Sequence, residues 1–213
     1  MEPATVSAII SATAGISGVL LGNSFVAIRE HLKSNRERDK DAHFLAVLVV
    51  AHLDRYIDTC IRVSHDDGTS EGVPAGRDRE YHEITVGAPE FDPLVLDVEW
   101  KSLPPELMFR ILQVPQDQDM VERALSNVFE YADLPEYAEF FRARRHDYAQ
   151  LGLEVLRIAT DLRKLAGLPD SKSDRGEQNR AQTLAEQMRA VEDERAEVQT
   201  RIEAHRLKAG QPI

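Results

Sequence analysis

Between Pro3 and Ile28 the chain carries no charged side chain. An uncharged stretch of about 20 apolar residues is what an α-helix needs to cross roughly 30 Å of hydrocarbon. The run is rich in Ala, Gly and Ser and holds one plainly polar residue, Asn23. Hydroxyls are tolerated there because they bond back to helix carbonyls, and glycine is commoner in membrane helices than in soluble ones. Only Met1 and Glu2 precede Pro3, so the positive n-region of a secretory signal peptide is missing. Residues 1–28 are therefore predicted to form a single transmembrane helix. The alternative is a helix buried in a soluble assembly.

Other absences bound the rest. A lone cysteine, Cys60, excludes a disulfide framework and fits a reducing compartment. No Lys or Arg precedes the apolar run, whereas five follow it between Arg29 and Lys40. The positive-inside rule then puts the C-terminal body in the cytoplasm and the protein in the cell membrane, as a single pass. Neither Gly nor Pro occurs from Asn23 to Asp67, so the helix is expected to continue off the membrane through a charged juxtamembrane stretch, 29–43. The formal charge is −11, and residues 1–41 contain five acidic and five basic side chains. The body thus carries essentially all of the negative charge, which excludes nucleic acid as a main partner and disfavours anionic lipid surfaces.

The signatures of common chemistries are missing as well. There is no GxxxxGK[ST], GxGxxG or GxSxG, no HExxH, and no Glu-x-x-His pair of a di-iron bundle. Cys60 falls between Ile57 and Ile61 on an apolar helical face and reads as an inert thiol. His52 with Asp54, or His65 with Asp66 and Asp67, would make a metal site only if other helices completed the shell. No catalytic residue, cofactor or metal ligand is assigned.

What remains is mainly α. Residues 44–168 are expected to form a helical bundle domain interrupted by an irregular linker, 66–101, with short extended segments at Glu83–Gly87 and Leu94–Trp100. A first bundle helix covers 44–62. Ser102 with Pro104 and Pro105 opens a second, ended by Pro115. Asp119 with Glu122 reads as a capping box opening a third, and Asp133 with Glu136 opens a fourth. That last helix keeps a three-and-four spacing through Phe140, Phe141, Tyr148, Leu151, Val155, Ile158, Leu162 and Leu165 to a stop at Gly167. Phe44, Leu48, Phe129, Phe141, Leu151 and Leu162 are expected in the core.

Residues 169–176 form a polar linker, and a C-terminal amphipathic helix spans 177–208. Its Leu184, Met188, Val191, Arg195, Val198 and Ile202 follow a heptad seam. Two readings stay open: a coiled coil between chains, or a helix lying on its own bundle. Gly18 and Gly22 supply a GxxxG face for association within the membrane. Arg142, Arg144, Arg145 and His146 form the one dense basic cluster, which either pairs with the body's carboxylates or holds an anionic ligand. The resulting expectation is a membrane-anchored structural or protein-interaction module, with a protein partner or a homo-oligomer. The alternatives are a membrane-tethered enzyme or ligand-binding bundle, and a soluble protein whose N-terminal helix is buried in an oligomer.

Overall fold

A computed structural model of the protein describes residues 37–169 and 177–208, together with positions 29 and 33, which are helical. The protein is a mainly helical bundle. The predicted span, including Gly18 and Gly22, lies outside the described residues; among those described, no helix is long and apolar enough to cross a membrane.

The first helix, α1, is described over residues 37–63. Its residues 37–41 are exposed and charged, and the core begins at Leu45. From there Leu45, Val49, Leu53, Tyr56, Ile57 and Cys60 recur at helical spacing and are buried. Phe44, expected in the core, is 63% exposed, because it sits one residue, about 100° of helical turn, before Leu45. Leu48 is half-buried.

Helix α2 (Pro105–Glu130) is one continuous helix, where the sequence suggested two. Pro115 does not end it, although a proline inside a helix removes one hydrogen bond and costs about 3 kcal/mol. Packing on both sides of the proline overrides that penalty: Ile111 and Val114 before it and Leu125 after it are all buried. Asp119, the supposed cap, is therefore mid-helix. Helix α3 (Ala138–Ala166) starts later than Asp133, since 131–137 form a turn in which Tyr137 adopts a left-handed conformation (φ 48°). The Tyr137 ring stacks on Phe129 at 5.1 Å, and its N–H donates to the Asp133 carbonyl. At the other end the expected stop is present: Gly167 has φ 62°, its N–H donates to Lys164, and the Leu168 N–H donates to Arg163. That is the paired hydrogen bonding of a Schellman motif. Leu165 faces outward, half-exposed.

Helix α4 (Glu177–Lys208) packs on α3 and α1, with Leu184 and Val191 fully buried. Gly152 of α3 makes room for it. A Cβ there would lie 2.9 Å from the Cys60 Cβ and 3.2 Å from the Leu184 methyls.

Cross-links give the helix directions. Arg110 pairs with Asp161, and Phe129 packs edge-on against Phe140, so α2 runs antiparallel to α3. His43 reaches the Ala166 carbonyl while Asp66 meets Arg144, so α1 is also antiparallel to α3. Arg180 with Asp54 and Gln187 with His65 make α4 parallel to α1. Three helices therefore point one way and α3 the other. Parallel neighbours need a long connection. Residues 64–104 supply it as a strap that returns along the bundle. It opens with a two-residue hairpin, β1 (Thr69–Ser70) paired antiparallel to β2 (Val73–Pro74). It continues through Phe91, which contacts His52 and Tyr56, and ends near Lys101, whose carbonyl accepts from Arg38. The expected linker is thus a packed element, and the single Trp100 packs on the core from it.

Candidate functional site

Three polar clusters hold the helices. The first sits where the strap leaves α1. Asp66 Oδ1 accepts from the Thr85 hydroxyl (2.7 Å) and the Gly68 N–H (3.2 Å). Its Oδ2 accepts from the N–H groups of Thr85 (3.1 Å) and Val86 (3.0 Å) and from Arg144 (2.8 Å). Arg144 also donates to the Val86 carbonyl. Both side chains are buried. Burial acts to raise the Asp66 carboxyl, but the Thr85, Val86 and Gly68 hydrogen bonds and the Arg144 charge outweigh it and hold the group below the usual carboxylate range. Gly68, at φ 80°, sits against the Phe141 ring, where a Cβ would be 2.4 Å from the ring edge.

The second cluster ties α1, α3 and α4. Asp54 accepts from Arg163 (2.6 Å) and Arg180 (2.8 Å), and Arg180 also reaches Asp58 (3.0 Å). The third lies between α3 and α4. Arg145 donates to both oxygens of Glu194 (3.1 and 3.2 Å), Arg142 pairs with Glu139, and Arg195 pairs with Glu139 at 2.9 Å. Each arginine of the basic cluster singled out in the sequence therefore faces a carboxylate of the same chain.

The seam residues of α4 divide in two. Leu184 and Val191 are buried in the bundle, and Met188 is half-buried against it. Val198 is half-buried and Ile202 is exposed. Because Arg195 meets Glu139 at the first turn of α3, the rest of α4 runs about 20 Å beyond that helix. Cys60 is fully buried, and desolvation pushes its thiol well up, so it stays protonated. Among the described residues no three His, Cys, Asp or Glu side chains gather to hold a metal ion. His65 is engaged by the Ile61 carbonyl and Gln187, and Asp54 by its two arginines.

A cleft of about 650 Å³ opens at the end of the bundle where α1 finishes, between strap residues 84–88, the last turns of α2 and the first turns of α3. Ile84, Leu125, Phe129 and Phe140 make its apolar wall. Phe129, expected in the core, is 48% exposed, because among the described residues no helix covers the outer side of α2 and the ring lines this opening. Polar groups converge from Glu122, Glu130, Tyr148 and Arg144. The Tyr148 hydroxyl donates to Glu122 Oε1 at 3.4 Å, and Gln118 donates to the same oxygen at 2.8 Å. Burial and the Glu122 charge push the Tyr148 phenol well above its ordinary range, so it acts as a donor and not as a base. A mostly apolar recess with a few convergent polar groups is the usual form of a small-molecule site.

Sequence reasoning missed this cleft and the Asp66–Arg144 pair. One signal was available: Arg144 falls on the apolar stripe of α3, four residues from both Phe140 and Tyr148, and a charge there requires a buried partner. No protein-family model matches the chain, and neither does any curated protein or solved structure.

Proposed function

We propose that the chain is a membrane-anchored helical module that acts by binding partners or assembling with itself, not by catalysis. The observation that carries this reading is the uncharged run Pro3–Ile28, followed by a helical Arg29 and an exposed, charged α1 stretch that enters the bundle at Leu45. A helix from 29 to 44 would hold the bundle about 20 Å from the end of the span. The basic residues after Ile28 orient the body to the cytoplasmic side. With its first half spent on the bundle, the α4 seam offers association only through Val198 and Ile202 on the projecting end. The Gly18–Gly22 face is the second route.

Two experiments test this. The full chain is expected to stay with the membrane pellet through high-salt and alkaline carbonate washes, and a reporter after Ile213 is expected to read as cytoplasmic; release by carbonate sinks the anchor. For assembly, crosslinking in intact membranes is compared between the wild type, Gly18→Leu/Gly22→Leu, and Val198→Asp/Ile202→Asp. A multimer that survives both pairs of changes would remove these two faces from the proposal.

A further inference from the structure

The cleft has a charge that its wall residues do not cancel. Arg144, its one cation, is consumed by Asp66 and the Val86 carbonyl. Glu122 and Glu130 line the same wall, and among the described residues neither forms an ion pair with a basic side chain. They lie on one ridge of α2, eight residues and so about 12 Å apart along the helix. The neighbouring ridge carries Leu125 and Phe129, and Phe140 faces them from α3. An acidic group at either end with an apolar, aromatic floor between them is complementary to a molecule cationic at both ends and hydrocarbon in the middle. Ring faces such as Phe129 add a further attraction for ammonium groups. The cleft volume of about 650 Å³ falls in the range of small-molecule sites.

We propose that this cleft binds an organic dication, an α,ω-diammonium ion whose chain lies on Leu125, Phe129 and Phe140 and whose ends reach Glu122 and Glu130. The site is independent of where the protein resides. Binding leaves Asp66–Arg144 intact, since Asp66 is not part of the cleft lining and Arg144 is held by Asp66 and the Val86 carbonyl.

The test is isothermal titration calorimetry of the full chain, purified in a neutral detergent, with 1,8-diaminooctane at pH 7. Binding to one site per chain is expected. Glu122→Gln/Glu130→Gln is expected to weaken it by about ten-fold, the scale of losing two partly exposed charge contacts. Phe129→Ala should weaken it too. Glu186→Gln/Glu197→Gln, which removes the same charge from α4, should leave it unchanged. 1,4-Diaminobutane, which has half the hydrocarbon to lay on the apolar floor, and uncharged 1,8-octanediol should bind more weakly than the eight-carbon diamine. The proposal is overturned by equal affinity in the wild type and Glu122→Gln/Glu130→Gln, by equal loss in the α4 variant, or by a diol that matches the diamine. Circular dichroism of each variant separates lost binding from lost folding.

Discussion

Helices α2 and α3 are neighbours of similar length, 26 and 29 residues, yet α3 buries fourteen residues and α2 four. The difference lies in what surrounds them. α3 is contacted by α1, α2 and α4, so its apolar stripe widens until even Arg144 and Arg163 are inside. α2 is covered by α3 and by the strap and meets α1 through the Tyr56–Gln118 hydrogen bond, and past Pro115 its apolar contact with the body is a narrow stripe of Val121, Leu125, Val128 and Phe129. Clefts open on both flanks of that narrow contact. One helix is a shaft that tolerates few changes; the other is a wall that leaves room for a ligand.

The contrast is most open to attack at its polar centre. Arg144→Ala leaves the Asp66 carboxylate buried without its cation and is expected to destabilise the chain by about 3–5 kcal/mol. Thermal unfolding of the full-length protein reads this directly, and a loss below about 1 kcal/mol would remove the pair from its central place. The same pair sets an acid limb. Because the folded Asp66 carboxyl lies below its unfolded value near 3.9, its contribution is complete above that pH and fades as the pH falls through the folded value. A melting-temperature profile against pH should therefore drop less steeply on the acid side in Asp66→Asn than in the wild type, from a lower plateau.

Apolar truncation sharpens the comparison. Leu162→Ala in α3 is expected to cost about 2–5 kcal/mol, whereas Val121→Ala on the thin face of α2 should cost about 1 kcal/mol. Equal losses would mean that α2 is as firmly embedded as α3. Gly152→Val, which pushes into Cys60 and Leu184, should cost about 1–3 kcal/mol and loosen α4, read as faster amide exchange along 180–191. The smallest effect belongs to the partly exposed Arg195–Glu139 pair, where Arg195→Ala should change stability by less than about 1 kcal/mol. A larger loss would show that the projecting end of α4 is held by more than this contact.

Some of this was legible from local pattern. The three-and-four spacing of α3 and its Gly167 stop depend on residues within a few positions of one another, and both stand in the structure. Caps were less dependable. Asp119-Met-Val-Glu122 has the form of a capping box and Pro115 that of a stop, yet a helix pinned at Ile111, Val114 and Leu125 passes through both. Nothing local marks Asp66 for Arg144, 78 residues away, or brings strap residues 84–88 beside Glu122 and Phe129.

By itself the sequence determined the uncharged N-terminal run, the acidic body, the helical class and the polarity of each helix face. These are sums and periods along the chain, and water and hydrocarbon act on them without reference to the fold. Only the tertiary structure decided that the connection after α1 lies down as a strap, so that α1 and α2 run parallel. It also decided that the first half of the α4 seam is spent within the chain, and that Arg142, Arg144 and Arg145 face carboxylates. A heptad or an arginine cluster states only that a partner is needed. Which surface meets that need is settled by the one arrangement that buries Leu184, Val191 and Arg144 together with their complements.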